Sequence, residues 1–233
     1  MSVWPNRRIE DLLGIELPII QAPMAGSAFA EMAVAVSEAG GLGSLGCALL
    51  RAEQLQQQLD EIRRGTQRPV NLNFFCHQPP QADAGREARW KARLEKYHVE
   101  LGIDRKAQAP AASPAPFDAA ACEAVERFHP EAVSFHFGLP APELLARVKA
   151  AGAKVLSSAT SVDEAVWLER QGCDAIIAQG AEAGGHRGVF LTEDVSTQVG
   201  TIALVPQIVD AVKAPVIAAG GIGDARGIVA AFA

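Results

Sequence analysis

Short apolar runs alternate with longer amphipathic segments along most of the chain. Apolar runs bounded by glycine, proline or polar residues predict buried strands over seven segments: 18–22, 42–45, 69–75, 132–138, 154–158, 173–178 and 214–223. Apolar residues spaced three and four positions apart predict helices between them, at 28–39, 51–64, 141–151, 161–171, from about 203 and from 224, and Ser161 is placed to cap the helix at 161–171. Strands that alternate with helices in this way are typical of parallel βα units.

Residues 77–130 break this rhythm. A charged stretch at 84–101 predicts an exposed helix, a Pro/Ala-rich loop follows at 108–116, and Asp118 is placed to cap a helix that continues through Phe128. Because the βα rhythm resumes afterwards, we interpret 77–130 as an excursion within a single domain that covers residues 1–233.

Seven parallel strands fit two architectures, a (β/α)8 barrel without its eighth unit or a doubly wound open sheet. Polar residues and glycines stand at strand C-terminal ends all along the chain rather than at one switch point. A barrel mouth would collect all of them, so the barrel is favoured. The residues concerned are Gln21 to Met24, Asn71, His136, Ser157, Ser158, Gln179, Gly220 and Gly221.

Composition narrows the function classes. The 233 residues, 49% hydrophobic and 21% charged, are enough for one large globular domain. A net charge of -6 argues against nonspecific binding to nucleic acid or to anionic membranes. The four cysteines are scattered, which predicts neither a metal site nor disulfides and favours a cytoplasmic location. The N-terminus lacks the apolar core of a signal peptide, and no apolar run is long enough to cross a membrane.

The most informative stretch is Ala178-Gln179-Gly180-Ala181-Glu182-Ala183-Gly184-Gly185-His186-Arg187-Gly188, which follows a buried strand. Glycines let the backbone approach a ligand closely, and histidine is the side chain best suited to proton transfer near neutral pH. The stretch therefore predicts a cofactor-facing loop that presents one acid–base group, His186. The alternative is a glycine-rich surface turn with a solvated histidine.

Three further kinds of feature could carry function: two glycine-rich motifs, the other histidines and the cysteines. Residues 41–46 match GxGxxG, but a helix precedes the glycines, so tight packing is the better interpretation than a dinucleotide site. Residues 218–223 predict an anion site, with an ordinary strand-to-helix turn as the alternative. His136 is interpreted either as a hydrogen-bonded core residue or as a substrate contact. Solvated or structural roles are expected for His77, His98 and His129, and inert ones for Cys47 and Cys76.

Several of these segments together resemble the nitronate monooxygenase family, formerly called 2-nitropropane dioxygenases, and within it the class I bacterial branch. They occur in the family's order over almost the whole chain, and the glycine–histidine loop is the most specific. The matching segments are Pro18-Ile19-Ile20-Gln21-Ala22-Pro23-Met24-Ala25-Gly26, Val70-Asn71-Leu72-Asn73-Phe74-Phe75, Phe135-His136-Phe137-Gly138, residues 179–188 and Ala218-Ala219-Gly220-Gly221.

The resemblance implies an FMN-dependent TIM barrel that oxidises alkyl nitronates, and in some relatives nitroalkanes, with O2 to carbonyl compounds and nitrite. His186 would be the active-site histidine and His136 a second histidine of the substrate pocket, with no metal involved. The residues implied to contact FMN are Ala22, Pro23, Met24, Asn71, Gln179, Gly184, Gly185, Gly220 and Gly221.

Family members continue past the seventh strand into an eighth, so we expect this chain, which ends at Ala233, to be part of a longer protein. Two alternatives within the fold are an FMN-dependent enoyl-acyl-carrier-protein reductase and an NAD(P)H:quinone reductase. An alternative of another class is an inactive flavin-binding or non-catalytic barrel fragment. The expected partners are a small nitronate and O2, without nucleic acid or membrane, in a monomer or homodimer.

Overall fold

The computed structural model describes residues 4–79, 81–104 and 116–233. The chain divides into two compact units, residues 1–77 with 115–233, and residues 78–114. Most of the predicted Pro/Ala-rich loop at 108–116 lies outside the described residues. The single domain over 1–233 stays a prediction.

The first unit is built on one parallel sheet whose strands lie side by side in chain order. Six strands are present among the described residues: β1 (Gly43–Gly46), β2 (Val70–Phe75), β3 (Ala132–His136), β4 (Lys154–Ala159), β5 (Ala175–Gln179) and β6 (Val216–Ala219). Consecutive parallel strands require a crossover each time, and a helix supplies it, as the alternating pattern predicts.

The predicted count of seven strands is not confirmed. Residues 18–22 form only a single parallel bridge, Ile20 to Leu42, closed by hydrogen bonds from Gln21 N to Leu42 O (3.0 Å) and from Leu42 N to Ile19 O (2.9 Å). Pro18 and Pro23 flank this bridge, and a proline cannot donate to a strand ladder. The segment thus takes the first-strand position beside β1 without becoming a strand.

Strand β3 also ends earlier than the predicted segment, 132–138. It stops at His136 because Phe137 and Gly138 both have positive φ, 68° and 87°. An extended ladder cannot continue through that backbone conformation, so the chain turns over the carboxyl end of the sheet at this point.

Helices cover the outer face of the sheet. Asp118 and Ser161 accept hydrogen bonds from the first turns of α5 (Ala119–Phe128) and α7 (Val162–Arg170), which confirms both predicted caps. The helices of the first unit are α1 (Arg8–Leu13), α2 (Ala30–Glu38), α3 (Ala52–Gly65), α5 (Ala119–Phe128), α6 (Pro142–Ala150), α7 (Val162–Arg170), α8 (Thr201–Ala211) and α9 (Ala225–Phe232), with a 3-10 turn at Val195–Thr197.

The sheet curls around an interior that changes character along the strands. Near the strand starts the inward side chains are apolar, and Ile20 and Leu42 at one side pack in the same cluster as Ile217 of β6. Helix α1 closes this end with Leu13 and the apolar residues around it. Near the strand ends the inward side chains are polar, so the curled sheet has a closed apolar bottom and a polar mouth, the arrangement of TIM-barrel-like folds.

The second unit contains α4 (Ala84–Glu100), whose first turn is capped by Asp83 through a hydrogen bond from Arg86 N. None of the side chains on this helix is buried, as expected for a charged surface helix. In the described parts of the chain, no helix is both long enough and apolar enough to span a bilayer.

Candidate active site

A layer of buried amides and hydroxyls lies below the mouth of the curled sheet. Asn71 donates from Nδ2 to Ser44 Oγ (3.0 Å) and Ser134 Oγ (2.9 Å), and Asn73 Nδ2 donates to the same Ser134 Oγ (2.9 Å). The two asparagines therefore share the inward face, as strand alternation predicts. Asn71 Oδ1 is buried and has no hydrogen-bond partner among the described residues. An orphaned buried acceptor is costly, so this atom is placed to receive a ligand's N–H.

Aromatic rings cover the mouth above this layer. The Phe75 ring lies 5.7 Å from the His136 ring and 5.1 Å from the His186 ring, measured between centroids. The Phe137 ring lies 5.3 Å from Phe75 and 6.1 Å from His77. Two phenylalanines are thus surrounded by three histidines. The ring cluster combines apolar contact area with imidazole nitrogens that can hydrogen-bond.

Phe137 reaches this cluster because of its backbone. Its left-handed φ of 68° turns the chain back over the mouth, a conformation that is uncommon for a bulky residue. The Ser157 hydroxyl donates to Gly138 O (2.8 Å) and holds the turn. Because the strand has already ended at His136, Phe137 lies in the ring cluster over the mouth.

The loop after β5 is held by side chains that bind its main chain. Gln179 donates from Nε2 to His186 O (3.1 Å) and accepts from Gly188 N at Oε1 (2.7 Å). His136 Nε2 also bonds His186 O (3.3 Å). A Cβ on Gly188 would lie 2.8 Å from His136 Cε1 and 3.0 Å from Gln179 Oε1. Only glycine allows both side chains to close on the loop here.

A buried carboxylate anchors the next residues of the same loop. Glu164 accepts from Phe190 N (2.7 Å) and Leu191 N (3.2 Å) through Oε1. Its other oxygen accepts from the main-chain N (2.6 Å) and hydroxyl (2.8 Å) of Thr160. Glu164 was missed in the sequence because Ser161 three residues earlier makes the pattern of an ordinary capping box.

The His186 ring is left free by this anchoring. His186 is exposed, and its ring meets those of Phe75 and Phe137 in edge-to-face geometry, with centroids 5.1 Å and 5.9 Å apart. Gly184 and Gly185 before it are exposed as well, and a Cβ on either would meet no atom within 4 Å. The main chain is held by hydrogen bonds at His186, Gly188, Phe190 and Leu191, while the His186 side chain and the two glycines are exposed.

His136 has a very different environment from His186. Burial lowers the pKa of His136 to about 4, an effect that its hydrogen bond to the His186 carbonyl opposes. Its Nδ1 lies 3.0 Å from Ser158 Oγ. Both ring nitrogens are therefore used inside the protein. His136 is neutral at physiological pH, because protonation would place an imidazolium in this half-buried site.

The loop after β6 carries the predicted anion turn. Gly220 and Gly221 have φ of 127° and 71°, and a Cβ on Gly220 would lie 2.8 Å from Thr201 Oγ1 and 2.9 Å from Ala183 N. Glu182 accepts from Thr201 N (2.7 Å) and Thr201 Oγ1 (2.9 Å), and these bonds lower its carboxyl pKa. The turn is therefore packed directly against the loop after β5.

The helix that follows this turn already has a carboxylate at its N-terminus. Asp224 accepts from Arg226 N (2.9 Å) and Gly227 N (3.2 Å), so the first amides of α9 are satisfied by the protein itself. A cavity of about 160 Å³ lies between this turn, α8 and α9. An anion at this end would have to use the main chain of the glycine turn rather than the start of α9.

The remaining predicted cofactor residues, Ala22, Pro23 and Met24, lead into a turn at residues 25–27. Met24 O accepts from Ser27 N (3.0 Å) and Ala28 N (2.9 Å), and the Met24 side chain is exposed. Gln21 before them bonds Ser44 through both amide atoms. Within the described residues, no hydrogen bond links this segment to the His186 loop.

Two motifs set aside in the sequence are structural. A Cβ on Gly43, in the GxGxxG match, would lie 1.9 Å from Ala33 O, so close packing of α2 on β1 requires these glycines. Burial raises the pKa of the Cys47 and Cys76 thiols, which opposes formation of reactive thiolates. In the described residues, no group of three or more His, Cys, Asp or Glu side chains is placed to hold a metal ion.

Comparison with known proteins agrees with this arrangement. The family described as Nitronate monooxygenase matches residues 6–233. A nitronate monooxygenase of Paraburkholderia phytofirmans is 44% identical over 229 residues, which cover 98% of this chain and 63% of that protein. One of Pseudomonas aeruginosa is 43% identical, with 97% and 64% covered.

Solved structures give the same result. A nitroalkane oxidase of Streptomyces ansochromogenes superimposes with a TM-score of 0.82 at 36% identity, over 96% of this chain and 64% of that one. FabK from Thermotoga maritima gives 0.72 at 32% identity, over 97% and 57%. The chain thus spans less than two thirds of the length of these relatives. By its sequence match over nearly all its residues, it belongs to the nitronate monooxygenase family.

Proposed function

We propose that the whole protein is an FMN-dependent oxidoreductase that oxidises alkyl nitronates with O2 to a carbonyl compound and nitrite. The observation that carries the proposal is the loop after β5, which fixes the main chain of His186 and leaves its ring exposed beside the ring cluster of Phe75, Phe137, His77 and His136. Family membership supports the same reaction.

The residues present fit a flavin. Asn71 Oδ1 is a buried acceptor without a donor, and a flavin ring offers an N–H. Gly184 and Gly185 leave room for close approach, while the main chain at Gly220 and Gly221 would receive the phosphate. Ala22, Pro23, Met24 and Gln179 complete the proposed set. The flavin supplies the electron acceptor, and the protein supplies binding, orientation and electrostatics.

His186 would act directly on the substrate. A nitronate is already an anion, so no strong base is needed, and an imidazole N–H of His186 would hold its nitro oxygens by a hydrogen bond. For a neutral nitroalkane the same ring would remove the α-proton, which is general-base catalysis. Phe75 and Phe137 would contact the alkyl group and exclude water from the mouth.

The proposal is tested with the purified flavin-containing protein under anaerobic conditions. Adding ethyl nitronate should bleach the visible flavin absorbance, and readmitting O2 should restore it with release of nitrite. Bleaching by NAD(P)H but not by the nitronate would contradict the proposal. A protein that neither contains nor takes up FMN would contradict it as well.

The likeness to FabK structures is the observation that keeps a second candidate, the flavin-dependent enoyl-acyl-carrier-protein reductase, under consideration. The lower TM-score makes it the weaker one, and the NAD(P)H arm of the same experiment separates the two. We further propose that the whole protein closes the curled sheet into a (β/α)8 barrel, acts in the cytoplasm on a small nitronate and is a monomer or homodimer.

A further inference from the structure

The hydrogen bonds of His136 define which of its nitrogens carries the proton. Nε2 faces the carbonyl oxygen of His186 at 3.3 Å, and a carbonyl only accepts, so Nε2 must be the protonated nitrogen. Nδ1 then accepts from the Ser158 hydroxyl, 3.0 Å away. With both nitrogens committed to protein atoms, neither is available to a substrate.

Packing from the opposite side holds His136 in this orientation. Gly188 lies against its Cε1 so closely that a Cβ there would come within 2.8 Å. Phe137 lies edge-on beside it with ring centroids 4.5 Å apart, and the Phe75 ring centroid is 5.7 Å away. The ring is therefore enclosed by the loop that it binds and by the ring cluster. His136 thus contacts His186 and Gly188, the residues on either side of Arg187 in the anchored segment.

We propose that His136 is a positioning residue rather than a catalytic one: with Ser158 it forms a hydrogen-bonded pair that holds the His186 carbonyl and thereby aims the His186 ring at the substrate. This positioning role replaces the catalytic role that the family resemblance implies for His136. It rests on the proposed function only in that His186 is taken as the residue that contacts substrate.

The neutral state of His136 fits this function. Burial lowers its pKa to about 4, so the ring keeps one donor and one acceptor throughout the neutral range. Protonation would give Nδ1 a hydrogen and reverse the required direction of the bond with Ser158. A fixed neutral tautomer holds the loop in one geometry, whereas a proton-transfer residue must change its protonation state during turnover.

The first test determines the tautomer of His136 and needs no measurement of activity. The protein, labelled with ¹⁵N at its five histidines, is examined by long-range ¹H–¹⁵N correlation, and the His136 signals are assigned by their loss in His136→Gln. We expect a neutral Nε2–H ring between pH 6 and 8, with and without a bound nitronate. A ring protonated on both nitrogens, or one whose proton moves to Nδ1 when the nitronate binds, would overturn the proposal.

The second test uses rescue. Gln places its side-chain N–H near the position of a histidine Nε2, so His136→Gln keeps the donor to His186 O, whereas His136→Phe keeps only the ring shape. For a neutral nitroalkane, we expect His136→Phe to lower kcat on the order of 10²-fold, the size of a misplacement of about 1 Å. His136→Gln should recover most of that loss, and both should keep the parent's pH profile.

A matched control is His129→Asn, which changes a distant exposed histidine whose left-handed φ of 50° asparagine tolerates. Equal losses in His136→Gln and His136→Phe, together with disappearance of a limb of the pH profile, would show His136 to be catalytic and overturn the proposal. Failure of the proposed function looks different: the parent would not turn over nitronate at all, while the tautomer measurement would still decide the state of His136.

Discussion

The two glycine-containing loops at the mouth, after β5 and after β6, use glycine for different reasons. After β6, Gly220 and Gly221 have positive φ and pack against Ala183, Glu182 and Thr201. After β5, Gly184 and Gly185 have open space around them, although Gly185 also has a positive φ of 75°, and the loop is held instead by hydrogen bonds with Gln179, His136 and Glu164. The loop after β6 is fixed by packing, and the loop after β5 by side chains that bind its main chain. Substitutions in the two loops should therefore change different properties of the protein.

The largest expected change is in turnover, from the loop after β5. In the flavin-containing protein, His186→Asn should bind FMN normally but lose oxidation of a neutral nitroalkane by about 10²–10⁴-fold, because asparagine cannot take up the α-proton. Oxidation of the preformed nitronate should fall less. Steady-state kinetics with both substrates measure the difference. Loss of flavin, or unchanged rates with both substrates, would show that His186 is not the acid–base residue.

A large change in stability is expected from the loop after β6. Gly220→Val should lower the free energy of unfolding by about 2–5 kcal/mol, because a branched side chain would have a strained φ and would overlap Thr201 and the Ala183 main chain. Urea denaturation without added FMN measures it. Gly223→Ala is the control, since a Cβ there meets no atom within 4 Å. Equal stability of the two variants would contradict the packing role of Gly220.

A pH effect of moderate size is expected from His136. Its folded pKa of about 4 lies below its ordinary 6.5, so in that range the unfolded chain binds more protons and stability falls as the pH drops. The loss attributable to His136 is on the order of 3 kcal/mol. Urea denaturation at several pH values should show a smaller decline for His136→Gln than for the parent. If the free energy of unfolding fell equally with pH in the parent and in His136→Gln between pH 6.5 and 4, the buried neutral state would be contradicted.

The smallest stability effect is expected at Gly184. Because a Cβ there has open space and no unusual φ is required, Gly184→Ala should change the free energy of unfolding by less than about 0.5 kcal/mol. If the glycine faces the flavin as proposed, FMN affinity should nevertheless fall. Flavin fluorescence titration measures the affinity. A variant that is destabilised but binds FMN normally would reverse the interpretation of this loop.

Much of the fold could be predicted from the sequence because its signals are local. Apolar runs with glycine and polar ends gave the parallel βα order, and Asp118 and Ser161 gave helix starts. The bridge at Ile20 was taken for a strand because apolar character alone does not reveal that flanking prolines limit pairing. The end of β3 was missed because positive φ at Phe137 depends on its packing in the mouth rather than on its residue type.

The site was predictable only in part, because some of its contacts join residues that are far apart in the sequence. His186 and Gln179 stand in one motif and were found together, but the contact of Gln179 with the main chain of the loop needs the folded geometry. Glu164 lies 26 residues from Phe190 in sequence, and the bond depends on how α7 meets the loop. Long-range side-chain-to-main-chain contacts have no local signature that could identify them.

The central claim is that side chains fix the main chain of the loop after β5 while Gly184 and Gly185 stay open. Amide hydrogen exchange in the parent, Gln179→Met and Glu164→Gln tests it most directly. We expect the Gly188 and Phe190 amides of the parent to exchange slowly and those of Gly184 and Gly185 quickly. Gln179→Met should release Gly188, and Glu164→Gln should affect Phe190 first. If Gly188 in the parent exchanges as fast as Gly184, the loop is not held in this way.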